Sequence, residues 1–280
     1  MTGKRTEVKV INNLFEYIKI SAAIFFCSFG FCSENRVPQD FKSPHTTSGS
    51  VPKIQPVILG TIPHDSAAFT QGLFYTDGVL YESDGLYGKS DIRRIDTTGT
   101  VIQNQPVPDV FAEGCALMGS RLFQITWREQ TAIIYSMPSL KPEGTLTYDG
   151  EGWGLTSDGT VFIMSNGSDT LYFRDSEFKI QRKLAVTLDG KPLANLNELE
   201  FARGNVFANV WFSDYIFEIS PQNGKVLRII DCTNIINMEK PRSEQNVLNG
   251  IAFVPRGNYF YITGKNWNNY YKVAIPPLNN

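Results

Sequence analysis

From Ile54 onward the chain alternates short apolar runs with turn residues, and the alternation recurs along its length. Apolar positions at period two, bounded by Gly, Asp, Asn and Pro, predict half-buried strands rather than helices. Gly72–Tyr75 and Val79–Ser83 flank Thr76-Asp-Gly78, and Asp91–Ile95 and Val101–Val107 flank Thr97-Thr-Gly99. Asp-Gly between apolar alternations is a hairpin signal, because both turn residues need the positive φ these types tolerate. The same four-strand reading fits Cys115–Met118, Arg121–Thr126, Ala132–Ser136 and Glu143–Tyr148. It fits Gly154–Thr156, Thr160–Met164, Thr170–Arg174 and Ile180–Thr187, and again Leu199–Ala202, Asn205–Val210, Tyr215–Ile219 and Val226–Asp231. A fifth set, Ile251–Val254, Tyr259–Thr263 and Tyr270–Ala274, stops after three strands.

Each set opens on a related pattern: Gln71-Gly72-Leu73, Glu113-Gly114, Trp153-Gly154-Leu155, Asn197-Glu198-Leu199 and Asn249-Gly250-Ile251. The steps between them are about 42, 40, 44 and 52 residues, a period that marks propellers and arrays. The pattern therefore predicts an all-β fold, a five-bladed β-propeller. The spare apolar run Pro56–Ile62 is expected to supply the missing strand of the last blade, which closes the ring and removes an exposed edge. The longest step contains Cys232–Gln245, where Asn234–Lys240 is expected to form a short helix ended by Pro241 and to act as a surface connection or a wall of the site.

Upstream of this pattern, residues 1–32 read as a targeting segment, with a basic stretch followed by the apolar run Ile20–Cys32, too short to span a bilayer comfortably. An exported chain, periplasmic or extracellular, is the expectation, with Cys27 and Cys32 raising a lipid anchor as an alternative to simple cleavage. Residues 33–53 read as a polar linker and 54–280 as the propeller domain. A net charge of −2 gives no electrostatic case for nucleic acid or an anionic membrane. Cys115 and Cys232 remain in the domain and are expected to be buried free thiols. Neither His45 nor His64 has a metal-binding spacing, which argues against zinc chemistry.

In a propeller the first strand of each blade lines the central channel, so equivalent residues meet at one mouth. The first ring is Gln71, Glu113, Trp153, Asn197 and Asn249. A second ring, five residues after matched apolar positions, is Gly85, Trp127, Asn166, Trp211 and Lys265. One acid, one base, three tryptophans and several carboxamides make an unusual packing layer. Glu113 is the sharpest candidate: aromatic surroundings should raise its pKa and Lys265 should lower it, with the net direction open. The glycines have a plain reading as backbone spacers, Trp127 and Trp211 as packing between blades, and Asn197 and Asn249 as loop bridges.

These segments resemble the plant and bacterial type of glutaminyl-peptide cyclotransferase. The resemblance is carried by Phe69-Thr-Gln-Gly-Leu73, Tyr81–Gly88, Glu113-Gly114, Gln124-Ile-Thr-Trp127, Glu151–Thr156, Asn195–Glu200, Asn209-Val-Trp211, Val247–Ala252 and Thr263-Gly-Lys265. It covers roughly residues 57–273, and Phe111-Ala-Glu stands where Phe-Gly-Glu is usual. The family is a five-bladed propeller unrelated to the zinc-dependent animal cyclases. The resemblance implies conversion of an N-terminal glutamine of peptides or proteins to pyroglutamate with release of ammonia. It implies Glu113 as general acid and base, with Asn197, Lys265 and Gln71 holding or polarising the carboxamide. Phe69, Phe111, Trp127, Trp153 and Trp211 would enclose the glutaminyl side chain. No cofactor and no catalytic metal are expected, a structural cation in the channel stays open, and the chain is expected to be a monomer. Two other classes remain. A calcium-dependent propeller lactonase or esterase wants several inward carboxylates, where the first ring offers one, and a non-catalytic binding propeller leaves that acid without a purpose.

Overall fold

The computed structural model describes residues 50–278; the targeting segment, most of the linker and His45 lie outside them. The chain opens with β1 (Lys53–Ile54) and β2 (Val57–Pro63) and then builds four complete sheets in order. Blade 1 is β3 (Thr70–Thr76), β4 (Val79–Asp84), β5 (Asp91–Ile95) and β6 (Val101–Pro106). Blade 2 is β7 (Ala112–Met118), β8 (Arg121–Thr126), β9 (Thr131–Ser136) and β10 (Lys141–Thr147). Blade 3 is β11 (Leu155–Ser157), β12 (Phe162–Met164), β13 (Thr170–Arg174) and β14 (Ile180–Ala185), followed by a small hairpin of β15 (Thr187–Leu188) and β16 (Lys191–Pro192). Blade 4 is β17 (Leu196–Ala202), β18 (Asn205–Val210), β19 (Tyr215–Ile219) and β20 (Val226–Asp231). The helix α1 (Thr233–Glu239) precedes blade 5, which contains β21 (Leu248–Val254), β22 (Tyr259–Gly264) and β23 (Asn269–Ala274).

The missing strand of blade 5 is β2, antiparallel to β23, with Val57 opposite Ala274 and Pro63 opposite Asn269. This is the closure the strand count predicts. A further strand was not foreseen: β1 lies parallel to β20 as a fifth strand of blade 4. Pro52 accepts the Ile229 N–H and Val51 packs against the seam between blades 3 and 4, so the domain takes in residues the sequence pattern gives to the linker.

The hydrophobic core is divided into five seams, one between each pair of neighbouring blades. Period-two alternation dictates this arrangement. Each sheet buries both of its faces against neighbours, so strands in the blade interior are apolar on both sides while outer strands such as β14 are largely exposed. The closing strand is pinned by more than its ladder. His64, just past β2, places Nε2 2.8 Å from Glu82 Oε1 in blade 1 and Nδ1 2.9 Å from the Trp267 carbonyl in blade 5. Burial alone would raise the Glu82 pKa, but the His64 charge and hydrogen bond outweigh it and hold the carboxyl down at about 2. Cys115 and Cys232 are both buried and free.

Candidate active site

The five first strands β3, β7, β11, β17 and β21 contact one another in sequence around the channel. Their spacing is set by glycine. A Cβ on Gly72 would lie 2.6 Å from the Cys115 nitrogen, one on Gly114 would overlap the Leu155 nitrogen, and one on Gly154 would overlap the Asn197 carbonyl oxygen. At three of the five junctions an inner strand therefore presses its neighbour's backbone through an absent side chain.

The same strands are irregular where the candidate side chains sit. Pairing with the second strand shifts register between Thr70 and Gly72, between Ala112 and Cys115, between Leu196 and Leu199, and between Leu248 and Ile251. Gln71, Glu113, Asn197 and Asn249 all fall inside these bulges. A bulge leaves one residue unpaired and re-aims its side chain, which allows a strand to present a polar group at the mouth while its neighbours stay in the core. In blade 3 the regular strand begins after Trp153, with the same result.

The aromatic candidates form one arc. Lys265 Nζ lies 4.7 Å from the Phe69 ring centroid, Phe69 meets Phe111 edge-on at 6.4 Å, and Phe111 meets Trp127 at 5.5 Å. Trp127 and Trp153 both donate their indole N–H to Glu151 Oε2, at 2.9 and 3.2 Å. Trp153 then meets Trp211 edge-on at 5.6 Å. All five aromatic candidates are thus brought together. Gly85 makes room for Phe111 and Gln71, and Gly167 for the Trp153 indole. Asn166 does not join the site: its carboxamide caps its own loop through the Ser168 N–H and hydroxyl. The fourth tryptophan, Trp267, is core, donating to the Asn246 carbonyl at 2.8 Å.

Glu113 and Lys265 are buried side chains, each 5% exposed. Burial drives the Glu113 pKa well above the ordinary carboxylate value, outweighing the opposing charge of Lys265, with smaller upward pushes from Glu151 and Glu129. Burial likewise lowers Lys265 to about 8, against the pull of Glu113. The direction left open by the sequence is therefore upward for the acid. Among the described residues neither head group takes a protein hydrogen bond; the side chain of Ser83 instead donates to the Glu113 carbonyl. Asn249 Nδ2 donates to the Thr70 carbonyl at 2.9 Å and to Gln71 Oε1 at 3.3 Å, while Asn249 Oδ1 and Asn197 Oδ1 are buried acceptors without a partner among the described residues.

One reading needs correction. Glu113 is not the lone inward acid. Glu198, beside Asn197, is 1% exposed, and its Oε1 accepts the Leu73 N–H of blade 1 at 3.3 Å. Burial raises its pKa well above the usual value, and the charge of Glu200 adds to the rise. It stands where the other repeats carry glycine, which was the signal for it. Glu151 was visible as part of a motif but not as the acceptor joining two indoles. Among the described residues no three His, Cys, Asp or Glu side chains converge as a metal site would need, so the channel cation gains no such site.

Comparison with known proteins follows the same lines. A family profile described as glutamine cyclotransferase matches residues 32–275. The chain is 38% identical over 225 residues to the glutaminyl-peptide cyclotransferase of Arabidopsis thaliana, covering 78% of this chain and 70% of that protein. The crystal structure of Myxococcus xanthus glutaminyl cyclase superposes with a TM-score of 0.77 at 32% identity, covering 82% of this chain and all of that one.

Proposed function

The chain belongs to the glutamine cyclotransferase family and is a glutaminyl-peptide cyclotransferase, and from that premise we propose that Glu113 moves the protons of the cyclisation. The α-amine nitrogen of an N-terminal glutamine attacks its own side-chain carbonyl carbon. A C–N bond forms, the bond to the carboxamide nitrogen breaks, and ammonia leaves. Glu113 takes a proton from the attacking amine and returns one to the departing nitrogen, so it ends the cycle as it began. Lys265, Asn197 and Gln71 hold and polarise the carboxamide. The Lys265 ammonium and a carboxamide N–H stabilise charge on the carbonyl oxygen, and unpaired Asn oxygens accept from the substrate's N–H groups. The aromatic arc excludes water and holds the chain in its cyclising conformer, where an intramolecular attack needs only orientation.

The observation that carries this reading is the Glu113–Lys265 pair. An acid raised by burial and an amine lowered to about 8 sit at one mouth, and among the described residues neither head group takes a hydrogen bond from the protein. Burial and a nearby opposite charge are the surroundings that shift the pKa values of acid–base groups at working sites. The test is ammonia release from a Gln-initiated dipeptide by the wild type and by Glu113→Gln. The amide keeps the shape but cannot shuttle a proton, so kcat should fall by about 10²–10⁴-fold with the circular dichroism unchanged. A folded variant with near-normal kcat would leave positioning as the sole source of catalysis.

The chemistry requires no cofactor or metal, and extensive chelation should leave turnover unchanged. The substrate class is peptides and proteins with an N-terminal glutamine. The apolar run before residue 33 supports an exported protein, and the closed ring of blades supports a monomer.

A further inference from the structure

The insertion before blade 5 has a use that the cyclisation itself does not require. It walls a cavity of about 350 Å³ at the blade 4–blade 5 seam, lined by Phe212, Asp214, Ile236, Glu244, Leu248 and Trp267 among others. The cavity opens on the face that carries the mouth, because the ends of second strands, the starts of first strands and the connections into them all lie there. It also shares walls with the site. Phe212 follows Trp211, with ring centroids 4.7 Å apart, and Leu248 precedes Asn249. The Lys265 N–H bonds to the Val247 carbonyl at 3.0 Å.

The walls are held in place. Glu239, the last residue of α1, accepts from the Asn268 backbone and side chain, from Asn269 and from the Tyr271 hydroxyl, which fastens the helix to blade 5. Phe212 is held at φ +62 and is 52% exposed. A bulky residue in the left-handed region costs free energy, and about half of the residue faces solvent. Its surroundings suit an apolar visitor. The lining residues include the acids Asp214 and Glu244 and no lysine or arginine.

We infer that this cavity is a specificity subsite for a large apolar side chain of the substrate, within the first residues after the glutamine. The assignment rests on the reading above that the mouth holds the glutaminyl group. The rest of the peptide must then leave across this face, and the cavity is a concave surface beside the mouth whose apolar walls are Phe212, Ile236, Val247, Leu248 and Trp267. The acidic lining works against a carboxylate at the same position, since like charges brought together in a partly dry site repel.

The experiment compares kcat/KM, read by ammonia release, for Gln-Leu-Gly, Gln-Gly-Leu, Gln-Asp-Gly, Gln-Gly-Asp and Gln-Gly-Gly. At one of the two positions leucine should exceed glycine on the order of tenfold, and aspartate should fall below glycine. In Ile236→Asn the ratio of leucine to glycine at that position should approach one. In a conservative Ile236→Leu it should persist, which separates a lost contact from a disturbed fold. Equal kcat/KM across the five peptides, or a leucine preference unchanged in Ile236→Asn, overturns the subsite while leaving the cyclisation standing. No ammonia from any of the five overturns the activity itself.

Discussion

The backbone of Asn197 occupies the space that a side chain on Gly154 would need. Two consecutive inner strands meet there with nothing between them, and the residue pressed against the glycine also supplies a candidate catalytic carboxamide. Gly154→Ala should therefore do two things at once. Forcing a methyl into a packed backbone contact typically costs about 1–3 kcal/mol, read as a lower urea midpoint. The displaced Asn197 should lower kcat more than it raises KM. Full stability with full activity would mean the strands can part freely, contrary to the geometry.

On the proposed mechanism, Lys265 is expected to set the alkaline limit of the reaction. Its pKa, lowered to about 8 by burial, means the ammonium is lost as pH rises through that value, and kcat should fall with it. Lys265→Arg keeps the charge at all accessible pH, so the alkaline limb should move out of range even if the absolute rate drops. The same depression makes the group contribute to stability with the opposite slope. Between about 8 and 10.5 the unfolded chain binds the extra proton, and stability from this residue increases with pH. A pH–rate profile and a pH–stability profile of the two proteins check both statements.

Glu151 acts on the site through two indoles and through charge. Removing its carboxylate in Glu151→Ala should free Trp127 and Trp153 to turn and raise KM by roughly 3- to 10-fold. Its negative charge also raises the Glu113 pKa. Glu151→Gln should accordingly move the acidic limb of the rate profile to lower pH while retaining most of the binding. A merely structural role would leave that limb in place.

Glu200 works against the fold at neutral pH. Burial raises its pKa to about 8, although the Phe253 N–H, 2.7 Å from its Oε1, opposes the rise. A raised carboxyl contributes stability that is complete below its unfolded value and lost as pH climbs through the folded one. Between about 4.5 and 8 the thermal midpoint should fall with pH, and Glu200→Gln, which can still accept from Phe253, should flatten that slope. An unchanged slope would place the titration elsewhere, with Glu198 the next group to replace.

Much of this architecture is legible in the chain. Alternation and turn residues give the blades, and the count of strands places Pro56–Ile62 beside Tyr270–Ala274, because an unpaired edge must be covered somewhere. The two rings bring Gln71, Glu113, Trp127, Trp153, Asn197, Trp211 and Lys265 to one face. Three things escape such reading. The pairing of β1 with β20 involves two residues, too few for any periodicity to register. Asn166 occupies a ring position by count, yet its short side chain finds donors in its own loop before it reaches the mouth. Glu198 replaces a glycine, and nothing in the spacing of side chains along one strand tells that its carboxylate crosses to the backbone of another blade.

The register shifts have a parallel in β2. A strand made near the start of the domain is the last one the ring needs, since β2 can pair with β23 only after residue 274 has left the tunnel. Until then Val57–Pro63 and the half-formed blade 5 both expose strand edges, held apart by the whole intervening chain. Blades 1 to 4 can assemble in order of synthesis, but the mouth, which draws Lys265 from blade 5 and Glu113 from blade 2, is finished in a single late step. On the proposed mechanism, a chain stopped anywhere before β23 is expected to be an open arc without activity.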